Sequence, residues 1–181
     1  MTAPQPYGRP WTEGDQALLY TCHLAADLQA GRVMNPAAVS VPFRPQLTPA
    51  ERFLATGPGV LMAQTALPAS PPQWEVRHRG WLTVSEEGIY LQDSQALLVW
   101  DWPMLHAAQM VGVNQLSLTV VHPEGPVAWW LLQSPYAELA FVVWAHAMHT
   151  GHPQLADDSW LPPGWLAWAH AQGRAPALPV R

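Results

Sequence analysis

Along this chain, apolar positions recur first at helical spacing, then alternate in short runs, then return to helical spacing. Thr12 opens the first periodic segment, "WTEGDQALLYTCHLAADLQAG", with Asp15 three positions on, the spacing of a capping box. Leu18, Cys22, Ala25 and either Leu28 or Gln29 form one stripe, and Gly31 is the expected stop, so a helix is predicted over 12–30. Residues 1–10, rich in Pro and Gly, are expected to be loose. The stretch "VMNPAAVSVPFRPQLTPA" at 33–50 is broken by prolines and reads as an extended connector.

From Glu51 onward the texture is that of short strands separated by turn signals. Strands are predicted at 59–65, with room for one before it, and after the loop "ALPASPP" at 73–85, 88–92, 95–102, 105–113, 115–122 and 126–133. Turns fall at Glu86–Gly88, at Asn114 and at "PEG" (123–125). Leu116, Leu118 and Val120 share one strand face, as do Trp100 and Trp102, because side chains alternate with period two. Trp129 and Trp130 must point to opposite faces, so one of them lies outside the core; it is expected to sit beneath the N-terminal helix.

The helical pattern then returns in "SPYAELAFVVWAHAMHTGHP". Ser134 is the expected N-cap, Pro135 the first helical residue and Glu138 the residue that reaches back to the cap, while Gly151 and Pro153 end the helix. The stretch Leu139–Ala145 is apolar on nearly every side, which demands cover beyond one sheet: the N-terminal helix, the tail or a second chain. The tail, "LPPGWLAWAHAQG", predicts a short helix over 163–172 with Leu161, Trp165 and Trp168 in line. Three stretches result: 1–50, helix and connector; 51–152, strands and helix; and 153–181, a Trp-rich tail, together expected to form one unit.

Composition changes this picture in a few places. Charged residues make up 12% of the chain, against about 25% in ordinary soluble domains. There is no lysine, and the net charge of −5 gives no reason to expect attraction to nucleic acid or anionic lipid. Eleven tryptophans on so uncharged a chain fit either an outer surface covered by another chain or a plain compositional bias. The single cysteine, Cys22, excludes an intramolecular disulfide and cysteine-based zinc clusters. The N-terminus lacks the apolar core of a signal peptide, and the greasiest run, 139–148, is about half the ~20 residues of a membrane span. A cytoplasmic protein is expected, with no membrane partner.

The order of seven antiparallel strands followed by one helix resembles a pleckstrin-homology-like barrel, and the segment "GWLTVSEEGIYL" (80–91) resembles the corresponding segment of bacterial PH-like and GRAM-like domains. The resemblance covers about 51–152. It implies an α+β fold: a seven-stranded antiparallel PH-like barrel capped by a C-terminal helix, here with flanking N- and C-terminal helices. It also implies that Trp144 packs that helix onto the barrel, and Trp144, Trp81 and Leu118 are expected in the core. Phosphoinositide-binding members carry a basic residue on the first strand and a basic-x-basic pair on the second. Arg77 and Arg79 match the pair, but 62–72 supplies no first basic residue.

By strand alternation Arg77 and Arg79 share a face with Glu75, while Trp74, Val76 and His78 take the other, so the arginines are weighed as a solvated face rather than a phosphate site, which needs several converging donors. His146, His149 and His152 are the candidate metal ligands, since the first two are three apart on one helix face, with Asp157 or Asp158 in reach; the competing reading is histidines that offset a helix dipole. Cys22 lies on the inward stripe, where a thiol is an inert small hydrophobe. No nucleophile elbow, phosphate loop or dinucleotide fingerprint is present. The chain therefore reads as a non-enzymatic binding or assembly module without a cofactor. Its expected partner is a protein, itself as a homodimer included, with Trp129, Trp130, Trp165 and Trp168 at the possible interface. A lipid-phosphate binder through Arg77 and Arg79, and a metal-dependent activity at the histidines, are the alternatives.

Overall fold

The computed structural model describes residues 9–32, 51–65, 73–121, 127–176 and 178. The connector at 33–50, the loop at 66–72 and the turn at 123–125 lie outside the described residues. Helix α1 spans Glu13–Gln29 and begins in the predicted capping box: Oγ1 of Thr12 accepts from the Asp15 N–H at 3.3 Å, and the Asp15 carboxylate accepts from the Thr12 N–H at 2.9 Å. Gly31, at φ 64°, turns the chain out of the helix in the left-handed conformation that glycine adopts without strain. Leu18, Cys22 and Ala25 are buried; Leu28, half-buried, completes the stripe and Gln29 is exposed.

Seven strands follow: β1 Phe53–Thr65, β2 Gln73–Ser85, β3 Gly88–Gln92, β4 Leu97–Asp101, β5 Leu105–Gly112, β6 Gln115–Val120 and β7 Ala128–Gln133. They form one antiparallel sheet in the order β4-β3-β2-β1-β7-β6-β5. The strand expected to precede 59–65 is the same strand, running unbroken from Phe53. Trp102 is not on β4: it begins a 3-10 turn, Trp102–Met104, that carries the chain to β5, and its indole N–H donates to the Glu86 carbonyl at 2.8 Å.

The sheet is a curled half-barrel. Trp100 on β4 and Trp130 on β7 have three strands between them, about 19 Å across a flat sheet at the usual spacing. Their ring centroids are 5.4 Å apart, which only a strongly coiled sheet allows. Gly80, paired with Gly59, allows a close approach of backbone: a Cβ on Gly80 would sit 1.8 Å from the Gln92 carbonyl oxygen. The concave face buries Leu61, Leu82, Val84, Ile89, Leu116, Leu118 and Val120.

Helix α2, Ala137–Met148, starts two residues later than Ser134 and Pro135 suggested, because Ser134 first makes a turn, its carbonyl accepting from the Ala137 N–H and its Oγ from the Tyr136 N–H. Nine consecutive residues, Ala137–Ala145, are buried. The cover that this apolar run requires comes from the chain itself, with β5 and β6 on one side and α1 on another. Trp144 is 1% exposed, and its indole N–H donates to the Leu105 carbonyl at 3.0 Å. The short helices α3, Pro153–Ala156, and α4, Trp165–Ala171, complete the fold. Gln154 of α3 bonds both the N–H and the C=O of Met110 on edge strand β5, at 3.0 and 2.9 Å, which blunts that edge.

Trp165 and Trp168, expected at an interface, are buried within the chain. Trp11 stacks on Trp168 with centroids 5.0 Å apart, the Arg9 guanidinium lies 4.3 Å over the Trp168 ring, and the Trp165 indole N–H donates to Asp15. An α4 stripe this apolar folds back onto the start of α1 because the two aromatic surfaces are complementary and each would otherwise be wet.

Candidate functional site

The convex face of the half-barrel carries the largest exposed aromatic groups. Partners in an antiparallel pair point to the same side of the sheet, so each face can be followed from strand to strand. Leu61 of β1 and Leu132 of β7 are paired and buried, which makes their side the concave one. Val60, Met62 and Gln64 then face outward, and with them Val76, paired to Met62, and Trp74, paired to Gln64. Trp81, paired to Pro58 on β1 and Gln92 on β3, is on the same side, as is Trp129 of β7, paired to Thr119. Leu97 and Val99 of edge strand β4 extend the row. Trp81 is 52% exposed and Trp129 54%.

This corrects two expectations. Trp81 is not a core residue, because Gly80 pairs with Gly59 on the concave side and puts its neighbour outside. Trp129 is the outward member of the Trp129–Trp130 pair, and it does not lie beneath the N-terminal helix, which packs on α2 instead. Trp144 and Leu118 are buried.

The placement of the arginines differs from simple alternation. Leu61 pairs with His78 and Met62 with Val76, so Arg77 is an extra residue in β2, a bulge. The alternation resets there. Trp74, Val76, Arg79 and Trp81 share the convex face, whereas Glu75 and His78 fall on the other. Arg77 spends its charge on Glu75, with which it forms an exposed ion pair at 2.8 Å. His78 turns inward to Asp93, Nδ1 to Oδ2 at 2.7 Å, and this hydrogen bond, with those from the Gln95 and Ala96 N–H groups, holds the Asp93 carboxyl down near about 2. Arg77 has no partner in the β1–β2 register, so strand alternation does not by itself put Arg77 and Arg79 on one face.

The three histidines do not converge. His149 and His152 pack at 6.2 Å between ring centroids, both against Trp144, and His152 also lies edge-on to Phe141. Nδ1 of His152 accepts from the Gln154 N–H as the N-cap of α3, and burial lowers its basicity. His146 lines a separate groove with Ala25, Leu28 and Leu155. Among the described residues, no group of three or more His, Cys, Asp or Glu side chains is placed to hold a metal ion. The Cys22 thiol is fully buried, and burial pushes it up to about 12, well away from nucleophilic chemistry. No helix among the described residues is long and apolar enough to cross a membrane.

One residue the sequence pattern misassigned is Glu138. Its spacing from Ser134 and Pro135 suggested a capping residue, but its Oε1 accepts from the N–H of Asn114 at 2.7 Å, in the β5–β6 turn. Asn114 holds φ 59°, a left-handed conformation that Asn tolerates, and this turns its N–H toward α2. Glu138 is 1% exposed; burial pushes its carboxyl up to about 7, although the Asn114 hydrogen bond works in the opposite direction. The helical spacing alone carried no sign of this, since the partner lies on a different element. Comparison with known proteins finds no family model that matches the chain and no curated protein that matches it.

Proposed function

We propose that this chain is a non-enzymatic protein-binding module of the PH-like kind, docking its partner on the convex face of the sheet, and that a second copy of the chain is that partner. The observation that carries this is the row of Trp74, Val76, Trp81 and Trp129 on one face, with Trp81 and Trp129 each more than half exposed. Exposed tryptophans are costly to leave in water and are the residues most enriched at the centres of protein interfaces. The strand order and the helix after the last strand support the PH-like comparison. A chain with 12% charged residues has little self-repulsion to oppose pairing of such faces. Two-fold pairing is also the commonest closed symmetry for a self-complementary patch.

Light scattering at micromolar concentration tests this. The parent is expected at twice its 20.0 kDa mass, and a variant with Trp81→Glu and Trp129→Glu at 20.0 kDa with unchanged helix and strand content. A parent that stays at 20.0 kDa at the highest soluble concentration overturns the self-association. A double variant that still pairs places the interface elsewhere.

A further inference from the structure

The two outer edges of the sheet differ. On β5 the outward N–H and C=O of Met110 are both taken by Gln154. On β4 the main chain is open. The Asp93 N–H donates to the Ala96 carbonyl and the Trp102 N–H to the Glu87 carbonyl, and both pairs continue the β3–β4 register. Bonded pairs recur at every second residue of an antiparallel ladder, so Leu98 and Trp100 turn their main-chain groups to β3. Leu97, Val99 and Asp101 turn theirs outward, and no hydrogen bond engages those groups among the described residues. All three residues are exposed. Their side chains stand on the convex side, since Trp100 between them is buried. The strand has no bulge, proline or lysine, the usual devices that keep another strand off an edge.

We propose that the β4 edge is a docking site for an extended segment of another protein, which adds as an antiparallel strand with a basic side chain opposite Asp101 and aliphatic ones opposite Val99 and Leu97. Three N–H donors and three C=O acceptors at strand spacing are a template for a main chain, and strand addition completes such an edge. Directly opposed residues stand on the same face, so alternate side chains of the segment meet Leu97, Val99 and Asp101 in turn. Asp101 has no ion pair among the described residues, and a cation across the pair supplies the charge it lacks. The same carboxylate decides against a second copy at this edge. Antiparallel pairing of two β4 strands that engages all three residues sets Val99 against Val99 and each Asp101 against an apolar Leu97.

Titration of the full chain with a capped peptide, Lys-Thr-Val-Thr-Val, followed by the backbone N–H signals in NMR, tests this. Its lysine falls opposite Asp101 and its valines opposite Val99 and Leu97. Saturation at millimolar peptide is expected, with the N–H signals of Leu97, Val99 and Asp101 shifted and their hydrogen exchange slowed. N-methylation of both valines removes donors that point at β4 and should weaken binding at least about tenfold; N-methylation of both threonines, which point away, should not. Val99→Pro deletes an outward N–H and spares the bonds to β3, so the folded variant should lose binding. Asp101→Lys should reverse the preference, toward a peptide with glutamate in place of its lysine, which keeps the test decisive if the proline variant folds poorly. No saturation, equal loss from both methylated peptides, or unchanged binding by either folded variant overturns the proposal. So does a parent dimer that Val99→Pro converts to a monomer, since the edge then holds a second copy. A parent that proves monomeric leaves this titration unaffected, so the edge and the convex-face reading fail separately.

Discussion

The indole N–H of Trp165 donates to Oδ1 of Asp15 at 2.9 Å, joining α4 to the cap of α1 across 150 positions of sequence. The same carboxylate accepts from the Thr12 N–H and hydroxyl and pairs with Arg9. Burial alone would raise the Asp15 carboxyl, but the hydrogen bonds from Arg9, Thr12 and Trp165 outweigh it and hold the group well below the usual carboxylate range. One side chain thus caps the start of a helix, anchors an arginine and docks the tail.

Asp15→Ala should therefore cost about 2–4 kcal/mol, more than the loss of a helix cap alone, because Trp165 and Arg9 lose their partner too. Urea unfolding measures the cost, and hydrogen exchange should show α4 loosening first. Because the Asp15 carboxyl gives up its proton at a lower pH in the folded chain, the contribution is present above the unfolded value of 3.8 and is lost as pH falls below it. Asp15→Asn should flatten acid unfolding in that range.

Glu138 has the opposite sign. Its folded carboxyl, at about 7, holds a proton that the unfolded chain releases near 4.5, so stability should fall as pH rises from 4.5 to 7. Glu138→Gln should remove that slope and raise stability above neutral pH by roughly 2–3 kcal/mol, the scale that a shift of this kind implies. Denaturant melts of both proteins on either side of this window check it; parallel curves would contradict it.

Trp144→Ala should destabilise the fold by about 3–5 kcal/mol, the usual cost of removing a large buried aromatic. Trp144→Phe should cost less but still about 1–3 kcal/mol, because the Leu105 carbonyl loses its donor. Thermal and urea melts distinguish the two, and an unchanged midpoint for the alanine variant would contradict the packing of α2.

Gly80→Ala should be among the most damaging single changes, at more than about 3 kcal/mol, because its Cβ would meet backbone rather than a movable side chain. Gly151→Ala, where nothing lies within 4 Å, is the control and should shift stability by no more than about 1 kcal/mol. Equal melting points for the two variants would mean that β2 and β3 do not cross so closely.

Arg77→Ala combined with Arg79→Ala should change stability by less than about 1 kcal/mol, since the Arg77–Glu75 pair is exposed on both sides. Loss of a measurable affinity for inositol phosphates in this double variant would revive the lipid-phosphate alternative.

What could be read from the chain by itself was local. Thr12 and Asp15 announce a helix start because both halves of the capping box lie within one turn, and Gly31 announces its end because only a left-handed residue closes it there. The strands from Gln73 to Gln133 were legible within a few residues, as alternation and turn chemistry are properties of neighbours. That one of Trp129 and Trp130 faces out followed from period two alone. Which one, and whether Trp81 is wet, depended on pairing with other strands. The bulge at Arg77 moved its neighbours to new faces because register belongs to the pair β1–β2, not to β2. Glu138 and Trp165 looked like a capping residue and an interface residue; tertiary contact with Asn114 and Asp15 gave them other work. Short-range bonds compete only with water and are set by adjacent residues. Burial, register and the protonation of Glu138 are set by what the folded chain brings alongside, and that became definite only once the sheet had curled, α2 had packed on β5 and β6, and α1 had packed on α2.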